Sequence, residues 1–231
     1  MDRLYTHSIR NLFCAAVVAG SGFALAEPAE LPVLGKEVLR WLPSKGLVGA
    51  RTFDGKLRAP GKQSVAGKIG LGFRVGDGAA HVLKDRAGKA VGDWDRDQAF
   101  SISLWAKTDA DANGNQTLVS RFGEVNKSRG WSVEAYSSSG HLGLMLGHQW
   151  PAGILKVLTP PGSFRRGEWH PVVMTYDGSS KPEGIAIYVG GTSQKLQVEL
   201  DGLNGTIRNT GDTLIGSRSG DRTPARQAVI G

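Results

Sequence analysis

Residues 167–189 read GEWHPVVMTYDGSSKPEGIAIYV, two apolar runs of period two separated by a polar turn. In the first run Val172, Met174 and Tyr176 share a face, and in the second Ile185, Ile187 and Val189 do. Successive side chains of a strand point to opposite sides, so each run presents one apolar face as a strand and none as a helix. Residues 177–184 carry the chemistry that ends strands: Gly for positive φ, Asp and Ser for local side-chain bonds, and Pro for a fixed φ. The segment reads as a β-hairpin with a long loop.

The rest of the chain repeats the pattern. In residues 100–107, Phe100, Ile102, Leu104 and Ala106 alternate with Ser101, Ser103, Trp105 and Lys107. Residues 118–122 read as a strand, 131–136 and 141–146 as a hairpin over Ser137-Ser138-Ser139-Gly140, and 154–159 as a strand after the Trp150-Pro151 turn. Further strands are expected at 195–200, 205–208 and 213–217. Ile69, Leu71, Phe73 and Val75 share a face with glycines opposite, as on a strand that another backbone approaches closely. About ten strands with turns every eight to twelve residues and almost no helix predict an all-β sandwich or jelly roll.

On these residues the chain resembles the laminin G-like (LamG) family, a concanavalin A-like jelly roll. Trp169-His170, Val172, Thr175-Tyr176-Asp177-Gly178 and the strand ending Tyr188-Val189 follow the family's W-H-x-V-x-x-T-Y-D-G hairpin, although Gly190-Gly191 replaces the usual Asp-Gly. FSISLWAK at 100–107 and Leu214-Ile215-Gly216-Ser217-Arg218 are similar to its early and late strands. The resemblance covers residues 47–231 and is closest to LamG domains of large bacterial surface or periplasmic proteins, some with cytochrome-like segments. It implies a two-sheet antiparallel sandwich. The family pattern runs on into a last strand of the type I-D-E-V-R-I-Y, and the sequence stops at Gly231 where that strand begins. An unpaired sheet edge is therefore expected there, with a truncated frame or a fragment as the alternative.

Residues 1–26 read as a secretory signal peptide: Arg3 and Arg10, an apolar run at 12–26, and Ala24-Leu25-Ala26 before a cut at Glu27. An uncleaved anchor is the competing reading, but the run is short for a bilayer span. Residues 27–46 form a Pro-punctuated linker with a short helix at 36–42, and 47–231 form the jelly-roll domain. After cleavage no membrane span is expected, and the chain is read as exported to the periplasm, the cell surface or the medium. Cys14 is the only cysteine and lies inside the leader, which excludes disulfides, thiolate metal clusters and c-type haem attachment from the rest. Any cytochrome-like neighbour would have to be another polypeptide.

The formal net charge of +7 comes from scattered residues such as Arg51, Lys56, Arg58, Lys62, Lys68 and Arg74. That distribution suits a solvated surface, or attraction to acidic polysaccharide or an anionic envelope. It does not suit nucleic acid, because no recognition helix is apparent.

Glycoside cleavage needs two carboxyls flanking the bond. The single E-x-D, Glu199-Leu200-Asp201, is followed by Asn204, which can be neither proton donor nor nucleophile. The histidines show no H-E-x-x-H spacing, no G-x-S-x-G is present, and Gly70-Leu71-Gly72 lacks the third glycine and the helix of a nucleotide loop. The chain is read as a non-enzyme. Asp109, Asp111, Asn113 and Gly114 match the opening of a calcium loop, D-x-[DN]-x-[DN]-G, so Asp109, Asp111 and Asn113 are candidate calcium ligands; a polar hairpin tip is the alternative. Trp105, Trp131 and Trp169 sit in strand patterns and read as core. Trp150, beside His148 and Gln149 in a turn, reads as a ligand-stacking ring or as a plug at the end of the sandwich. The leading expectation is an exported recognition module for polysaccharide or an envelope protein. A scaffold domain detached from a larger envelope or cytochrome-associated protein is the alternative, and a glycoside hydrolase stands third.

Overall fold

The computed structural model describes residues 15–19, 47–51, 64–68, 71–75, 80–85, 87–123, 128–218 and 228–230. The signal peptide expected at 1–26 (apart from residues 15–19), the linker expected at 27–46 and the helix expected at 36–42 lie outside the described residues. In chain order the strands are β1 (Ala15–Ala19), β2 (Leu47–Arg51), β3 (Ser64–Ala66), β4 (Leu71–Val75) and β5 (His81–Leu83). There follow β6 (Phe100–Thr108), β7 (Asn115–Gly123), β8 (Arg129–Tyr136), β9 (His141–Gly147) and β10 (Ile154–Leu158). The last six are β11 (His170–Tyr176), β12 (Ile185–Val189), β13 (Thr192–Ser193), β14 (Gln197–Asp201), β15 (Thr213–Ile215) and β16 (Ala228–Ile230). Among the described residues the one helical element is a 3-10 turn at Pro182–Gly184, and no helix is long and apolar enough to cross a membrane.

Two antiparallel sheets face each other. One has nine strands, in the order β13-β12-β11-β6-β16-β4-β3, with β1 joined to β6 and β2 to β1. The other has seven, in the order β14-β10-β9-β8-β7-β15-β5. The hairpin read from residues 167–189 is present, with Tyr176 opposite Ile185 and Val172 opposite Val189. Its apolar faces go where the alternation sends them: Val172, Met174, Tyr176, Ile185, Ile187 and Val189 join the core. They meet Phe100, Ile102, Leu104 and Ala106 from β6 and Trp131, Val133 and Ala135 from β8. Each fully buried side chain of the Val, Leu, Ile or Met kind contributes about 1.5–3 kcal/mol, so this interior is the main stabilising term. Gly72 behaves as its pattern predicts: a Cβ there would lie 3.0 Å from the Val229 side chain and 3.2 Å from the Ile230 carbonyl.

Trp94 anchors one end of the sandwich, and period-two reasoning gave it no role because it lies outside any strand. Its ring stacks on Phe100 with centroids 4.3 Å apart, and it lies 5.2 Å from Trp131. Trp131 in turn donates its indole N–H to the Gly92 carbonyl at 2.8 Å.

Four expectations need correction. Residues 109–114 are not a hairpin tip, because β6 and β7 belong to different sheets and the loop carries the chain from one to the other. Residues 205–208 form no strand; Ile207 N–H donates to the Asp95 carboxylate at 3.2 Å instead of to a neighbouring strand. Trp169 is only half-buried, with the Lys107 ammonium 5.5 Å over its ring. Residues 228–230 form β16 inside the sheet, between β6 and β4, so among the described residues the edge expected there is paired.

Candidate functional site

β9 and β10 are joined by a tight turn. His148 N–H donates to the Gly153 carbonyl at 2.8 Å, and Gly153 N–H to the Gln149 carbonyl at 2.8 Å. Within it the Trp150-Pro151 peptide is cis, Gln149 is exposed, and Trp150 stands at the tip with 55% of its surface accessible. The ring is therefore a projecting platform and not a plug.

His148 fixes this turn to the loop after β14. Its Nδ1 lies 2.9 Å from the Thr206 carbonyl. A carbonyl only accepts, so Nδ1 carries the hydrogen and a neutral ring keeps Nε2 as an acceptor. Gly205 makes room for the contact, since a Cβ there would lie 2.6 Å from the imidazole.

The same loop is locked to the segment that precedes β6. Thr206 Oγ1 donates to Asp95 Oδ2 at 2.9 Å, and Arg96 N–H donates to Asp95 Oδ1 at 2.7 Å. Burial pushes the Asp95 carboxyl upward, but the bonds from Arg96, Thr206 and Ile207 and the charge of Arg208 outweigh it and hold the group below its usual range. Arg208 Nη2 reaches Asp93 Oδ2 at 2.8 Å on the exposed side. On the inner side Asp93 Oδ1 faces the buried Arg121 at 3.5 Å. Trp150 thus rides on a braced rim of alternating charge.

The candidate calcium ligands are elsewhere. Phe100 begins β6 beside the Trp94 cluster, whereas Asp109 follows its far end. A nine-residue strand spans roughly 27 Å, so Trp150 and Asp109 occupy opposite ends of the sandwich. Asp109 Oδ2 accepts from Arg74 Nη1 at 2.7 Å. Asn113 Oδ1 accepts from Gly114 N–H at 2.9 Å and from Ser138 Oγ at 2.8 Å, and Asp111 is exposed. The three candidates share a loop, but two of their oxygens already have protein partners. Glu199 lies exposed on β14 with its carboxylate 2.9 Å from Lys156 Nζ.

Asp93, Asp95, Thr206 and Arg208 were not legible as a group. Asp95 and Thr206 are 111 positions apart, and no spacing rule joins residues that only the fold brings together.

A family model described as the concanavalin A-like lectin/glucanases superfamily matches residues 84–229. No curated protein matches the sequence significantly. Among solved structures, the CBM40 of a Ruminococcus gnavus IT-sialidase is similar with a TM-score of 0.46 at 14% identity, covering 69% of this chain and 88% of that one. Domains LG4-5 of the mouse laminin alpha1 chain give 0.43 at 16% identity, covering 68% and 38%. A Trypanosoma rangeli sialidase gives 0.45 at 16% identity, covering 73% and 26%. None of these likenesses bears on what this chain binds.

Proposed function

The chain belongs to the concanavalin A-like lectin/glucanases superfamily, and from that premise we propose that it is an exported, non-catalytic module that recognises a polysaccharide through the rim bearing Trp150, Gln149 and His148. The exposure of Trp150 on a braced turn supports this most strongly. A sugar offers an apolar face to an aromatic ring and hydroxyls to the polar groups beside it. Because the bond between His148 and Thr206 holds the turn before any ligand arrives, binding would cost little loop ordering. The leader at residues 1–26 supports export. Non-catalytic action fits Glu199, whose carboxylate is committed to Lys156 and whose sequence partner at the proton-donor position is Asn204.

Affinity electrophoresis of the full chain in gels cast with neutral and acidic polysaccharides tests the reading. Retardation by at least one glycan is expected, and Trp150→Ala should abolish it while the melting temperature stays unchanged. A Trp150→Ala protein retarded as strongly as the parent would remove this rim from the site.

A further inference from the structure

Two segments from distant parts of the chain share one side of β6. β11 covers the other side from Phe100 to Ala106. On the shared side, β16 places Ala228 opposite Thr108 and Ile230 opposite Ala106. Farther along, β1 places Ala16 opposite Ser103 and Ala19 opposite Phe100. Both pair antiparallel to β6, so they run in the same direction along a single track. The outer side of β1 is paired with β2.

Packing is incomplete where the two segments meet. A cavity between the sheets is lined by Ile102, Ser103, Leu104, Val119, Ile215 and Ile230. On the opposite face of β6, the Ser103 hydroxyl oxygen is buried with no hydrogen-bond partner among the described residues. The register position opposite Ser103 is held by an alanine, Ala16.

We infer that the Phe100–Ser103 side of β6 is a strand-acceptor site, and that the ligand it takes is an extended apolar peptide strand running antiparallel to β6. Ala15–Ala19 is the occupant while the leader remains attached. A strand taken up this way gains affinity from main-chain bonds and register from its alternate side chains. An empty track would leave the N–H and C=O groups of a central strand unpaired, which a sheet interior tolerates poorly. β1 and β2 are separated by residues 20–46, and the cut expected at Glu27 falls inside that connection. Once it is made, only non-covalent pairing holds β1 in place, and a partner protein's strand of similar chemistry can replace it. This inference does not depend on the glycan reading, since it concerns a different side of the fold from Trp150.

The test uses the full chain with a protease site placed at Glu27-Pro28, cut after folding. The probe is a fluorescent peptide of residues 12–22, with Cys14→Ser to prevent oxidation. The cut protein is expected to bind the peptide and release its own leader. The uncut protein should bind at least tenfold more weakly, because its tethered strand competes at high effective concentration. A peptide carrying Val17→Pro should not bind, because proline lacks the ladder N–H. Hydrogen exchange at those β6 amides between Phe100 and Ser103 that face β1 should be slow in the uncut protein, faster once the leader is lost, and slow again with peptide, while the alternate amides facing β11 stay slow throughout. Equal binding of both peptides would mean apolar adhesion without a ladder. No binding by either, or β6 amides indifferent to leader loss, would mean no acceptor site; each of these results overturns the inference.

Discussion

Arg121 Nη2 sits 3.5 Å from Asp93 Oδ1 beneath the rim, and the same guanidinium donates to the carbonyls of Val91 at 3.2 Å and Asn209 at 2.8 Å. Its side chain is 6% exposed, and burial pushes its pKa down against the raising influence of Asp93 and Asp212. A charge in that position is tolerable only with its counter-ion. Asp93→Asn is therefore expected to lower stability by about 2 kcal/mol, less than for a fully buried pair because Asp93 is partly solvated. Arg208→Ala, which removes the exposed partner of the same carboxylate, should leave urea unfolding essentially unchanged. Equal losses in the two variants would show that the inner contact has no special weight.

His170 gives the stability a pH dependence near neutrality. Its ring packs on Phe164 with centroids 4.8 Å apart, and its Nε2 lies 3.1 Å from both the amide and the carbonyl of Arg165. Burial lowers its pKa below the ordinary 6.5, against the raising effect of the Arg165 carbonyl and Glu168. A depressed folded value means the unfolded chain binds the proton more readily. The contribution is therefore complete above pH 6.5 and is lost as pH falls through the lower folded value. Thermal melts from pH 7.5 to 5 should decline, and His170→Gln should flatten that part of the curve. An unchanged slope in the variant would assign the decline to other groups.

Gly130 is a position where only glycine fits. It is the second residue of β8, with φ at +131°, and a Cβ there would collide with the backbone carbonyl of Arg121 across the β7–β8 ladder. Backbone cannot step aside as a flexible side chain can. Gly130→Ala should cost about 3 kcal/mol or more, combining a strained φ with a steric clash. Gly114→Ala makes the control: its φ is also positive, at +73°, but open space surrounds its added Cβ, so the loss should be smaller. Matching losses would mean that strain alone sets both.

The loop at Asp109, Asp111 and Asn113 sets calcium against Arg74. With Arg74 Nη1 at 2.7 Å from Asp109 Oδ2, an ion must displace a guanidinium to reach that oxygen. Arg74→Ala should therefore respond to calcium more strongly than the parent, read as a larger rise in melting temperature over EDTA. If neither protein responds, these residues do not form a calcium site.

Much of the fold follows from alternation. Val172, Met174 and Tyr176 could face one way only as a strand, and burying that face required an opposing sheet. Sheet membership was not legible in the same way. Residues 109–114 have the composition of a hairpin tip, and nothing local distinguishes a turn within a sheet from a crossing between sheets. The rim divides along the same line. Trp150 announced itself as an aromatic among turn residues, whereas the brace beneath it joins Asp95 to Thr206 and His148 through contacts that appear only when distant loops meet. Residues 205–208 misled for a related reason: the alternation of Thr206, Ile207 and Arg208 suits a strand, but their backbone partner is a carboxylate.

The sharing of β6 also bears on when the protein can fold. Ala106 pairs with His170 on one side and with Ile230 on the other, so the central strand of the larger sheet completes its ladders with residues made long after it. Such non-local pairing delays closure of the sheet until late in synthesis and makes folding slow. Until β16 is made, β6 stands open from Ala106 to Thr108, and a chain halted short of residue 228 would meet its neighbours with that stretch of backbone bare.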